Sequence, residues 1–352
     1  RYGESYIFKV YDLNDEELLE DKINSDLNDL ISEYKELVGQ LAIQGPKAKI
    51  TSSTTNAQDE QKSITLEEAM EGVFIPKDKI ENILDLLKVK KNIVLQGPPG
   101  VGKTFISKRL AYALLEVKDR KRVELIQFHQ SYAYEDFVQG YRPSDAGFDL
   151  KNGIFHQFCT RAAEDPDRPY VFIIDEINRG NLSKIFGELM MLIEADKRGP
   201  AWSVPLTYSK DLEETFYVPE NLYVIGLMNT ADRSLALVDY ALRRRFAFIN
   251  LEPEFESEGF AQFMQDAGVS DAMVAKIISR IAALNERISS DVANLGPGFN
   301  IGHSFFCSPA AGGVYDDLWY EQIIQYEIKP LLYEYWFDDP ETADTLIKEL
   351  LA

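Results

Sequence analysis

Short, nearly unbroken apolar runs alternate with longer amphipathic segments through the middle of this chain. The runs are NIVLQ (92–96), VELIQF (123–128), VFIIDE (171–176), LYVIGLMN (222–229) and FAFINL (246–251). Each is too short for a globular helix and too apolar for a half-exposed strand, so they predict the strands of a parallel sheet covered on both faces. Ahead of them, 66–70 reads as a short helix, VFIP (73–76) as a buried turn and 77–88 as a second helix. After Pro253 the strand pattern stops, and apolar positions at helical spacing predict helices over 255–266, 271–292, 320–335 and 342–351. The fold class is therefore α/β, with a parallel sheet flanked by helices (64–253) and a small α-helical domain behind it (254–352).

Upstream the pattern changes. A short strand over 6–11 precedes apolar residues at helical spacing (Leu18, Leu19, Ile23, Leu27, Leu30, Ile31, Leu37), as expected for the tail of a preceding domain over 1–43. Residues 44–63, QGPKAKITSSTTNAQDEQKS, are polar without apolar period, a linker composition. A charged turn separates SVPLTYS from ETFYVP within 202–218, which predicts a β-hairpin. It would either face a pore or partner, or edge the main sheet.

Composition narrows the function. The 352 residues are 45% hydrophobic, enough for a large core. With 37 basic against 58 acidic residues the net charge is −21, so the chain as a whole would repel nucleic acid. DNA contact, if any, belongs to a separate module; the chain opens on Arg1 rather than Met, and such a module is expected upstream. Two cysteines without metal-ligand spacing exclude a disulfide framework and suit a reducing cytoplasm. No apolar run reaches the roughly 18 residues of a membrane span, and no signal peptide begins the chain.

Four motifs carry chemistry. Gly97-Pro98-Pro99-Gly100-Val101-Gly102-Lys103-Thr104 is a full GxxxxGKT between a predicted strand and an apolar helix that begins at Phe105. Its backbone N–H groups would cradle phosphates, Lys103 reach the outer ones and Thr104 hold Mg²⁺. The run 171–176 ends a buried strand on two carboxylates; Asp175 would hold the Mg²⁺ shell and Glu176 orient or deprotonate the attacking water. In LMNTADRS (227–234), Asn229 ends another strand and either contacts the γ-phosphate or water, or simply turns the chain. In DYALRRRF (239–246), Arg244 and Arg245 either form a solvated turn or reach a neighbouring subunit's γ-phosphate.

With these four elements in this order, residues 64–352 resemble the AAA+ ATPases, in the branch that includes McrB-type motors, MoxR-type chaperones and dynein-related modules. Longer strings favour the McrB type: QFHQSYAYEDFVQGYRP (127–143), IIDEINRGNLSKIFGELMMLIE (173–194), WSVPLTYS (202–209), GLMNTADRSLALVDYALRRRF (226–246) and IGHSFF (301–306). The resemblance implies a homo-oligomeric, hexameric ring with nucleotide between subunits, GTP rather than ATP as fuel, and an McrC-like nuclease partner. By position it implies that Asn229, Asp232 and Arg233 belong to a signature loop at the nucleotide. It makes Asn178 a candidate to place water beside Glu176, or else a helix cap, and Arg244 and Arg245 the trans-acting pair. It also places His303 in the lid, near the nucleotide or in a structural role. NTAD invites comparison with the guanine-reading NKxD of small GTPases. Yet Asn229 ends a strand beside the phosphates, so base contacts are expected from the backbone near 74–76 and from the lid. Two other classes remain open: an ATP-driven, MoxR-like protein remodeller, and a nucleotide-bound scaffold that does not turn over.

Overall fold

The computed structural model describes residues 63–144, 147–209, 214–232, 240–308 and 310–352. The readings made for 1–62, for Arg233 and for 234–239 fall outside the described residues. Five parallel strands form the main sheet: β1 (Asn92–Gly97), β2 (Val123–Gln127), β5 (Tyr170–Asp175), β8 (Leu222–Asn229) and β9 (Ala247–Asn250), in the spatial order β2-β5-β8-β1-β9. All five are the strands the apolar runs predict.

The two-residue period of a strand explains why these runs are apolar throughout. Ile93 and Leu95, Val171 and Ile173, and Ile225 and Leu227 point to one face, against Leu84 and Leu87 of the Lys77–Lys90 helix and Ile106 and Leu110 of the Lys103–Leu115 helix. Val94, Phe172, Ile174 and Val224 point to the other, against Phe155 and Phe158 of the Ile154–Ala163 helix and the Leu182–Phe186 and Leu189–Leu192 turns. Both faces are covered by helices, so neither can present the alternating polar pattern.

The C-terminal helices carry a core of their own, built on Phe260, Ile281, Tyr320, Ile328 and Leu346. Their starts are written in the sequence. Ser257, Ser270, Asp316 and Asp339 each accept a hydrogen bond from a first-turn N–H of Glu258–Asp266, Asp271–Ser290, Asp317–Ile323 and Pro340–Leu351. The stretch expected as one helix over 320–335 is instead α-helix Asp317–Ile323, a π-turn at Ile324–Ile328 and α-helix Lys329–Tyr335. Pro330 lacks an N–H and its ring crowds the preceding turn, and the widened turn sits immediately before it.

Two hairpins stand off the main sheet. β6 (Val204–Pro205) pairs antiparallel with β7 (Thr215–Phe216) as a separate two-stranded ribbon, which rules out an edge of the main sheet. The other, β3 (Gln139–Ser144) with β4 (Gly147–Asn152), has no counterpart in the sequence reading. No helix among the described residues is long and apolar enough to cross a membrane.

Candidate active site

The site forms where β1, β5 and β8 end side by side. Beyond Gly97 the chain arches through Pro98–Val101 and enters the Lys103–Leu115 helix. Gly102, the residue before that helix, has φ +75°, a left-handed conformation that glycine adopts without strain. Val101 is buried and anchors the arch, leaving backbone N–H groups and the positive end of the helix facing the mouth. Lys103 Nζ donates to the Gly97 and Pro98 carbonyls at 2.9 and 2.8 Å. Burial lowers its pKa from 10.5 to about 8, against the pull of the Glu176, Asp175 and Asp232 carboxylates. Polyphosphate beside Lys103 would raise it again.

Thr104 Oγ1 donates to Asp175 Oδ2 at 3.2 Å, and Asp175 Oδ1 accepts the Glu176 N–H at 3.0 Å. A hydroxyl and a carboxylate converging at a phosphate loop are the hard oxygen donors that Mg²⁺ takes, so the residues fit the ion. At Glu176 the chain turns through φ +51°, a conformation costly for a residue with a side chain and typical of functional corners. Its Oε2 is buried without a well-aligned hydrogen bond, 3.1 Å from Arg179 Nε. Arg179 Nη2 in turn donates to Asp232 Oδ2 at 2.9 Å. The sequence reading gave Arg179 no role, although it lies three residues after Glu176 within the quoted DEINR string and so one turn away. Asn178 Oδ1 is buried and unpartnered. It caps no helix; the residue that does is Asn181, which accepts from Lys184 N–H.

Asn229 ends β8 opposite Gly97, and its Oδ1 accepts from Ala231 N–H at 3.3 Å. Thr230, unremarked in the sequence, ties the loop to the lid by donating from Oγ1 to Gly298 O at 2.7 Å. The two arginines part company. Arg244 is exposed at the end of the Tyr240–Arg245 helix. Arg245 instead folds back to Glu194 at 2.8 Å and to the Met190 carbonyl.

The lid rests directly on the phosphate loop. Gly302 N–H donates to Pro99 O at 3.0 Å and Ser304 N–H to Gly100 O at 2.8 Å. A Cβ on Gly302 would lie 2.0 Å from the Gly100 carbonyl carbon, so only glycine allows this approach. His303 is buried beside them, with Nδ1 accepting from Glu254 N–H at 3.0 Å and its ring edge-on to Phe74. Val73, Phe74, Ile75, Val101, Phe105 and His303 line one small pocket. Pro76 is exposed and stays out of it. Phe105 is 43% exposed and carries the Arg109 guanidinium over its ring.

Burial holds the His303 pKa down from 6.5 to about 4. Protonation therefore favours states in which the ring is exposed. The stabilisation is complete above pH 6.5 and is lost as pH falls toward 4, up to about 3 kcal/mol in all. The loss should appear as faster amide exchange at 301–304 between those pH values, absent in His303→Asn. An imidazole that titrates at or above 6.5 would refute a neutral, docked His303.

Residues 92–246 match the AAA domain of the dynein-related subfamily, and residues 276–344 match the McrB alpha-helical lid domain. The Type IV methyl-directed restriction enzyme EcoKMcrB subunit of Escherichia coli K12 is 55% identical over 291 residues, 82% of this chain and 63% of that protein. The Type II restriction enzyme BsuMI component YdiS of Bacillus subtilis is 25% identical over 206 residues, 48% of this chain and 59% of that protein. The chain thus spans about six tenths of the length of these two relatives. A phosphate loop closed by its own lid, in a sequence matched by both domains and by a relative 55% identical over 82% of it, makes this chain an McrB-like AAA+ protein.

Proposed function

We propose that the chain is the Mg²⁺-dependent, GTP-hydrolysing ring motor of a modification-dependent DNA restriction complex, working in the cytoplasm with an McrC-like nuclease. The observation that carries this reading is the 55% identity to the Escherichia coli restriction subunit, which takes in most of the chain. The geometry supports the chemistry.

The loop Gly97–Gly102 and the helix behind it receive the phosphates, and Lys103 swings from two loop carbonyls to the outer phosphate oxygens. Thr104 and Asp175 hold Mg²⁺, which when bound screens the phosphate charge. Glu176 takes the proton of the attacking water, while Asn178 and Asn229 fix its position. The base lies between Phe74, Phe105 and His303, and lid closure excludes solvent. Arg244 of the next subunit completes the pocket, so turnover requires a ring, here a hexamer. DNA is engaged through an upstream module, in keeping with a chain of net charge −21.

Side-by-side turnover of GTP and ATP with Mg²⁺ tests this. GTP should be hydrolysed well and ATP poorly, with GTP turnover raised by the nuclease subunit. Equal or faster ATP turnover would replace the restriction motor with an ATP-driven protein remodeller.

A further inference from the structure

The lid meets the nucleotide site along a strap, 297–304, whose two ends are held differently. At its last residues, Gly302 and Ser304 are tied to Pro99 and Gly100 by backbone hydrogen bonds. At its start the tie is a side chain, Thr230 Oγ1 donating to Gly298 O at 2.7 Å. A Cβ on Gly298 would lie 3.2 Å from Thr230 Cβ, so even a methyl group there would press on this contact. A cavity of about 670 Å³ is lined by Pro297, Gly298 and Asn300 of the strap, by Gly97 and Pro98 of the phosphate loop and by Thr230. It gives this end of the strap room to move.

Thr230 is also tied to the phosphate loop and to Asn229. Its N–H donates to Gly97 O at 3.1 Å. It is the middle residue of the turn that Asn229 Oδ1 closes by accepting the Ala231 N–H at 3.3 Å. With Oδ1 engaged there, Nδ2 is the group Asn229 has to offer a phosphate oxygen. A pull on Asn229 therefore moves the turn that carries Thr230. The strap in turn is clamped to the lid. Asn285 donates from Nδ2 to Ile301 O at 3.0 Å and accepts the Ile301 N–H at 2.7 Å, and Ser289 Oγ donates to Asn300 Oδ1 at 2.9 Å. Both residues belong to the Asp271–Ser290 helix, whose Ile277, Ile281, Leu284 and Ile288 are buried in the lid core.

We infer that Thr230 is a positioning residue for hydrolysis, its hydroxyl passing the presence of the terminal phosphate from Asn229 to the lid through Gly298. The inference rests on Asn229 facing that phosphate, as proposed above. Thr230 itself touches no nucleotide in this scheme. It acts by coupling two parts that both respond to the ligand, so its worth is a difference between nucleotide states rather than a contribution to either alone.

Three variants test this. Thr230→Val keeps the shape and removes the donor, Thr230→Ser keeps the donor, and Gly298→Ala leaves Thr230 intact and blocks the approach. Each is compared with the parent for affinity and for amide exchange over 298–304, with GDP and with guanylyl imidodiphosphate, a triphosphate that resists hydrolysis. In the parent the triphosphate should slow strap exchange beyond what GDP does. In Thr230→Val and Gly298→Ala that extra protection should vanish. The ratio of the two affinities should fall about three- to tenfold, the worth of one uncharged hydrogen bond, with GDP affinity unchanged and kcat lowered by a similar factor. Thr230→Ser should restore all three. A residue that only braces the fold would loosen the strap alike in both complexes and weaken both nucleotides alike, which would overturn the inference. Strap protection in Thr230→Val that still follows the terminal phosphate, or no rescue by serine, would do the same. Exchange in the phosphate loop 97–103 separates this from the larger reading. If neither nucleotide slowed it in the parent, the proposed motor would fall, and this inference with it.

Discussion

Glu176→Gln is expected to bind nucleotide as the parent does and to lose turnover by roughly 10²–10⁴-fold, the usual worth of a positioned general base. The substitution keeps shape and removes only the ability to take a proton. Binding should survive because the groups proposed to face the phosphates are the loop backbone, Lys103 and Thr104, all built on β1 and the helix after it. Glu176 instead sits on the corner after β5, with Arg179 3.1 Å away and anchored on Asp232. That anchoring holds the carboxylate at one point while the chain turns through φ +51°. Titration with a fluorescent nucleotide analogue, alongside single-turnover hydrolysis, separates the two effects. A large fall in affinity with hydrolysis of the bound fraction intact would make Glu176 a nucleotide-holding residue and leave the water without a base.

The same residues show what could be read from the chain alone. The five strands of the main sheet announce themselves because burial on both faces leaves no polar positions in them. The phosphate loop and the DE pair are legible because their chemistry lies in contiguous residues. The β3–β4 hairpin is not, since QGYRPS and GFDLKN mix Gly, Pro and charge without alternation, and pairing rather than burial makes them strands. Arg198 is hidden for a different reason. In the string DKRG it reads as a solvated charge, yet it is buried and donates to the Ile193, Pro219 and Leu222 carbonyls and to Asn92 Oδ1. Burial lowers its pKa to about 10. Asn92 passes the connection on, donating to Ile193 O at 2.7 Å and to Arg245 O at 3.0 Å. Such a network joins residues over a hundred positions apart, and no local pattern encodes it.

That network fixes the end of the arginine helix and so bears on the second large effect. Arg244→Ala should bind nucleotide normally and lose roughly 10³–10⁵-fold in turnover, the range of an arginine supplied in trans. Arg245 is held inside its own subunit by Glu194, Met190 and Asn92, which leaves the exposed Arg244 to project outward. A mixing experiment distinguishes a trans role from a local one. An Arg244→Ala subunit has a sound phosphate loop and Glu176, whereas a Glu176→Gln subunit has a sound Arg244. Where the first presents its nucleotide to the second, the interface is complete. Random mixing in equal amounts makes about a quarter of head-to-tail interfaces of this kind. Two nearly inactive preparations should therefore recover a substantial part of parental turnover when combined and allowed to reassemble. If Arg244 served its own subunit's nucleotide, every site in the mixture would still lack one group, and combining the two preparations would restore nothing.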